Sequence, residues 1–178
     1  KLSENEVLEK RDEGKKFLGQ SVFNNVKIIN SIISDTLIGI NINEQKKVDK
    51  ALIELDGTGN KSILGGNTTI AVSMAILKAA AKNQKVDLWK YLSANKECYL
   101  PIPEVQIIGR GAHAKGSISV QDFLIIPNGT TNFLEGIEWV HKVYQKAGEL
   151  LLKRNCLKGV ADEGGYWPNF KTNEAVLN

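Results

Sequence analysis

The chain has 178 residues, 42% of them hydrophobic and 24% charged, which is the composition of an ordinary globular chain with material for one large domain or two small ones. Lys and Arg exceed Asp and Glu by only 23 to 20, and the charges are interspersed, so no polyanion track and no nucleic-acid partner are expected. The longest apolar stretches, residues 70–81 and 124–127, are too short or too broken by small residues to span a bilayer, and the opening does not read as a signal peptide; no membrane partner and a cytoplasmic location are expected.

The chain opens without Met on a charged stretch, residues 1–16, and stops as a new helix begins at Thr172-Asn173-Glu174, so it reads as cut at both ends. Val22, Val26, Ile29, Ile32 and Ile33 recur at steps of three and four, which predicts an amphipathic helix over 21–38 ended by Gly39. A second helix is predicted over 44–54, with Val48, Ala51, Leu52 and Leu55 on one face. The run Asp56-Gly57-Thr58-Gly59-Asn60 then demands a loop. The next helix, 70–81, is apolar almost all round and is expected to be buried on most sides, capped by Asn67 or Thr68. Gly65-Gly66 before it could cradle a phosphate, but no strand and no Gly-Lys-Ser/Thr pattern accompany it, so a helix start is expected. A short helical turn follows over 86–92, and Pro101 and Pro103 then change the grammar.

Short buried strands are predicted at 105–108 and 123–126, separated by a Gly-rich loop, and a long amphipathic helix over 132–154 is marked by Phe133, Ile137, Val140, Tyr144, Ala147 and Leu151. A brief strand at 159–161 delivers Asp162-Glu163-Gly164-Gly165. Strands feeding polar loops and long helices predict an α/β chain: residues 1–99 as the helical part of an N-terminal domain, and 100–178 as the start of a β/α barrel, where chemistry collects at the strands' C-terminal ends.

Three segments carry candidate chemistry. Two carboxylates, Asp162 and Glu163, stand before glycines that permit close backbone approach; such a run alone is most often a solvated turn. In Gly109-Arg110-Gly111-Ala112-His113-Ala114 an imidazole could face a ligand or simply ride a surface loop. Gln121-Asp122 places a carboxylate at a strand's start, as a site group or as a cap. His141, without a partner at metal-ligand spacing, is read as structural or exposed, and Cys98 and Cys156 as ordinary reduced thiols.

In this order the segments resemble the enolase (phosphopyruvate hydratase) family. The resemblance rests on Glu54-Leu55-Asp56-Gly57-Thr58-Gly59-Asn60-Lys61-Ser62, Leu64-Gly65-Gly66-Asn67, Leu100-Pro101-Ile102-Pro103, Gly111-Ala112-His113-Ala114, Gln121-Asp122-Phe123-Leu124-Ile125-Ile126-Pro127 and Asp162-Glu163-Gly164-Gly165-Tyr166-Trp167-Pro168-Asn169. It implies dehydration of 2-phosphoglycerate to phosphoenolpyruvate in glycolysis, with Mg²⁺ stabilising an enolate-like intermediate, and it suggests a homodimer. By resemblance, Glu163 assists hydroxyl departure, His113 reaches the substrate from a mobile loop and Gln121 lies beside the site. Asp122 stands where the family usually has a second catalytic glutamate. It is one methylene shorter, about 1.5 Å, where catalytic geometry tolerates about 0.5 Å. Arg110 also stands where the family usually has glycine, and the loop that helps bind a second Mg²⁺ is absent or replaced around 1–5. The three metal-binding carboxylates and the catalytic lysines are expected beyond Asn178, so no metal ligand is assigned within the chain. Asp122 and Arg110 leave open a paralogue acting on another phosphorylated or carboxylated substrate, and an enolase-like binding or structural protein stays open until the expected downstream metal ligands and lysines are seen.

Overall fold

The structure, a computed structural model, describes residues 6–94, 96–109 and 120–177, and it divides into two compact units, Lys1–Glu97 and Cys98–Asn178.

The first unit is helical. The helical run predicted over 21–38 forms as α1 (Phe23–Ile28), a π-helical turn (Ile29–Ile33) and α2 (Ser34–Leu37), and Gly39 leaves it at φ 90°. The polypeptide continues into α3 (Gln45–Asp56), α4 (Gly66–Asn83) and α5 (Leu88–Ser93). Ile33, Val48, Leu52, Leu64 and Val72 form its buried core, with Ile28, Ile29, Leu55 and Ile76 packed around them. Each such side chain contributes about 1.5–3 kcal/mol when fully buried.

An extended N-terminal segment is stitched onto this unit. The Leu8 N–H donates to the Asn60 carbonyl (2.7 Å) and the Gly66 N–H to the Leu8 carbonyl (2.8 Å). Asn67 accepts from the Lys10 N–H and donates to the Lys10 carbonyl, in the pattern of a strand partner. A Cβ on Gly66 would overlap the Val7 side chain, so the paired glycines allow one backbone to lie against another. Asp12 finishes the segment by accepting from the Ser21 hydroxyl and from the Phe23 and Asn24 N–H groups, capping α1 from a distance. These bonds, the Ser21 hydroxyl foremost, hold the Asp12 carboxyl below its usual value.

Two expectations for α4 are corrected. Its cap is Gly65, without a side-chain bond, because Asn67 is spent on Lys10 and the Thr68 hydroxyl accepts from buried Asn25. Nor is it buried on most sides: Ile70 is 55% and Met74 49% exposed, because within this unit packing reaches α4 along the stripe of Thr68, Thr69, Val72, Ala80 and Ala81.

The loop after α3 is organised by one buried carboxylate. Gly57 takes the left-handed conformation (φ 67°) that ends the helix, and Asp56, 1% exposed, turns back over the loop. Its Oδ1 accepts from the Thr58 N–H (3.1 Å) and hydroxyl, and its Oδ2 from the Leu64 N–H (2.7 Å). Burial pushes its pKa up, but the bonds from Leu64 and Thr58 outweigh burial and hold it below 3.8.

At its other end α4 closes in a Schellman turn, with the Val86 N–H bonded to the Ala81 carbonyl and the Lys85 N–H to the Lys82 carbonyl. The left-handed position, usually glycine, is Lys85 at φ 57°. A side chain there costs about 1 kcal/mol.

The second unit is a four-stranded sheet covered by one long helix. β1 (Val105–Gly109), β2 (Asp122–Ile125), β3 (Leu157–Val160) and β4 (Tyr166–Pro168) lie in the order β2-β1-β4-β3. The sheet is mixed: β1 pairs β2 antiparallel and β4 parallel, and β3 pairs β4 antiparallel. β4 is unannounced in the sequence, where Tyr166-Trp167-Pro168 is too short for an alternation to register. α6 (Phe133–Lys153) is capped by the Asn132 side chain accepting from the Glu135 N–H, and its Leu151 joins Ile107 and Ile108 in the second core. α7 (Glu174–Leu177) ends the described chain.

Asp56→Ala should lower the unfolding free energy by about 1–3 kcal/mol, because the Leu64 N–H is left buried without a partner. Because the folded pKa is depressed, the stabilisation is full above pH 3.8 and is lost as pH falls through the lower folded value. Urea melts of the wild type and Asp56→Asn at neutral pH and near pH 3 check this: the gap between them should narrow in acid.

Candidate functional site

The strand register sets the two acidic segments on opposite sides of one row of the second sheet. Gly109 pairs with Asp122 across β1 and β2, Ile108 with Tyr166 across β1 and β4, and Tyr166 with Val160 across β4 and β3. One row across the sheet therefore runs Phe123, Ile108, Tyr166, Val160; Asp122 lies one residue beyond it toward the C-terminal end of β1, and the turn over residues 161–165 leaves it toward the N-terminal end. The turn is tight: the Ala161 N–H donates to the Gly165 carbonyl (2.7 Å), the Gly164 N–H donates to the Ala161 carbonyl (2.9 Å), and Gly164 has φ 97°. Asp162 and Glu163 both lie exposed in this hairpin turn; the strand ends at Val160, so the alternation of strand neighbours does not apply to them.

Gln106 ties the row together. Its Nε2 donates to Asp122 Oδ1, and its Oε1 accepts from the Gly165 N–H at 2.9 Å. A β-bulge between Gln106 and Ile108 breaks the strand's alternation next to this side chain. Glycines flank the amide on both sides, and a Cβ on either Gly109 or Gly165 would run into it. Asp122 is exposed at the start of β2, with Gln121 exposed just before it.

A pocket of about 360 Å³ opens beside this tie, lined by Gln106, Glu163 and Gly164 from the sheet end and by Val140, His141 and Tyr144 from α6. The Tyr144 hydroxyl donates to the Gly164 carbonyl at 2.8 Å, holding the turn that carries Glu163. Tyr144 stacks on Tyr166 with ring centroids 4.3 Å apart. Burial, then the neighbouring Tyr144, raises the Tyr166 phenol above 10, so it stays protonated at neutral pH. The Tyr166 hydroxyl occupies the space where a Cβ on Gly148 of α6 would sit, which allows sheet and helix to close.

Of the sequence-predicted residues, the structure places Asp122 and Glu163 on either side of Gln106, the first bonded to it and the second sharing its pocket. Gln121 adjoins them on the strand, while His113 and Arg110 lie outside the described residues. Gln106 and Tyr144, not singled out in the sequence, line this pocket with Glu163, as does exposed His141. The available signal for Gln106 was a polar residue inside the apolar strand Val105-Gln106-Ile107-Ile108. Among the described residues no three acidic, His or Cys side chains gather as a metal cluster, and no helix is long and apolar enough to cross a membrane.

Residues 2–92 match the family model for the enolase N-terminal domain, and residues 97–178 match that for the enolase C-terminal TIM barrel domain. Together the two matches define an α/β chain of a lyase-type enzyme family. The chain belongs to the enolase family.

Gln106→Leu keeps the bulk but removes the tie, leaving the Gly165 N–H unpaired. It should cost about 1–3 kcal/mol in urea melts and speed amide exchange at Gly165. Unchanged exchange there would show that the amide does not hold the turn.

Proposed function

We propose that the protein dehydrates 2-phosphoglycerate to phosphoenolpyruvate, with Glu163 and Asp122 working on the leaving-group side. The observation that carries this reading is the Gln106 tie: one side chain bonds both Asp122 and the turn bearing Glu163, within a chain of the enolase family. The elimination removes a proton from C2 and hydroxide from C3. A carboxylic acid at the Glu163 position that hands its proton to the departing hydroxyl lets it leave as water, assistance worth about 100- to 10,000-fold. Asp122 is held by Gln106 with one oxygen, which leaves the other to meet substrate. His113 and Gln121 complete the substrate contacts in this proposal.

Enolase-family domains are generally Mg²⁺-dependent. A hard cation takes six or more oxygen ligands, and the carboxylates of Asp122 and Glu163 belong to no three-residue cluster among the described residues, so they do not by themselves fit a complete site. A cytoplasmic homodimer is part of the same proposal.

Asp122 supports a second reading. Its short side chain suits a substrate that is bulkier near the leaving group, such as another phosphorylated or carboxylated acid.

Steady-state kinetics on 2-phosphoglycerate with Mg²⁺ separate the readings. Glu163→Gln should lower kcat about 100-fold or more. Asp122→Asn should lower turnover and Asp122→Glu should raise it by restoring reach. Equal rates for the wild type and both Asp122 variants would remove Asp122 from the mechanism, and activity confined to a different substrate would favour the second reading.

A further inference from the structure

The Schellman turn between α4 and α5 borders a concave surface of about 470 Å³, which is within the usual range for small-ligand pockets. Lys78, Lys82, Lys85 and Lys90 surround it, with Asp87 the one acidic residue and Val86 part of its apolar lining. The first three lysines follow the helical spacing of four and three along α4 and its cap, and Lys90 approaches from α5. Among the described residues none of the four ammonium groups takes part in an ion pair or a side-chain hydrogen bond. Lys47, Lys50, Lys142 and Lys146 each sit against a glutamate on their own or an adjoining turn, whereas the pocket lysines share one hollow.

Lysines near a helix C-terminus complement its dipole, and that accounts for Lys82 without a ligand. It does not account for Lys85, whose backbone occupies the left-handed position that glycine fills at lower cost, nor for the arrival of Lys90 from another helix. Four like charges gathered around one concavity repel each other unless an anion joins them.

We propose that this pocket binds a small anion bearing two or more adjacent phosphate groups. Four ammonium groups and one carboxylate leave three net positive charges. A single phosphate, with about two negative charges at most, undershoots that, whereas a di- or triphosphate matches it. The four lysines come from one helix end and the short helix after it, around a single shallow hollow, which favours a compact polyphosphate over a long polymer. The site lies in the helical unit and is independent of the assignment made for Asp122 and Glu163.

Calorimetric titration of the protein with sodium tripolyphosphate, at about 10 mM salt where charges are weakly screened, tests the proposal. One saturable site is expected, stronger than for inorganic phosphate and weakened by added salt. Lys82→Glu with Lys85→Glu should lower affinity about tenfold or more, whereas Lys15→Glu with Lys16→Glu, an equal charge change outside the pocket, should leave it nearly unchanged. Lys85→Gly provides a control for folding: the melting temperature should hold or rise while affinity falls several-fold. Absence of saturable binding, equal loss in both double variants, or unaltered affinity in Lys85→Gly would overturn the proposal. So would binding of a single-stranded oligonucleotide through these lysines without binding of tripolyphosphate.

Discussion

The candidate site depends on one amide. Gln106 gives its N–H to Asp122 and takes the N–H of Gly165, so a single side chain fixes the start of one strand and the turn between two others. An amide suits this position because it donates and accepts at once; a carboxylate would repel Asp122, and an ammonium could not accept from Gly165. The glycines at 109 and 165 follow from the same constraint, since a methyl group at either would displace the amide. The Tyr144 hydroxyl then holds the Glu163 turn from the helix side. The carboxylates themselves remain exposed, which keeps them accessible to substrate and to ions.

The helical unit solves a similar problem with a charged group. Asp56 is almost fully buried, and burying a carboxylate is costly unless hydrogen bonds replace its water. Here the Thr58 hydroxyl and N–H and the Leu64 N–H provide them, and these are the donors that a Gly-rich loop leaves unpaired. The motif Asp56-Gly57-Thr58-Gly59-Asn60 is therefore a structural device: it turns the chain from α3 toward α4 and presents the Asn60 carbonyl to the N-terminal segment. The Gly65-Gly66 pair serves the same docking, and its tight contact with Val7 is filled by protein.

Asp122 is the residue on which the proposed function turns. Both enolase domain models match, and by the sequence resemblance the group paired with Gln106 is one methylene shorter than the glutamate expected there. The tie to Gln106 draws that shorter carboxylate toward the sheet, so reach toward a ligand depends on how tightly Gln106 is itself held by Gly165. The lyase-type class follows from the family; in the proposed function, substrate choice rests on this local geometry.

The helices were legible because their signal is local: apolar residues three and four apart mark a face whatever the rest of the chain does, and α1, α3 and α6 formed where that period stands. The acidic turn and Asp122 were also visible as residue types in a recognisable order. The mixed sheet was less so, because β4 is three residues long and its partners come from distant parts of the chain. The exposure of Ile70 and Met74 was likewise hidden, since composition tells how apolar a helix is but not which neighbours reach it. Gln106 is the clearest case: its partners lie 16 and 59 residues away, and no window along the chain contains both. By itself the sequence determined the helices, the glycine-bearing turns and the family; the tertiary structure alone decided which polar groups meet, because hydrogen bonds between distant strands depend on register and on a bulge that local pattern does not encode.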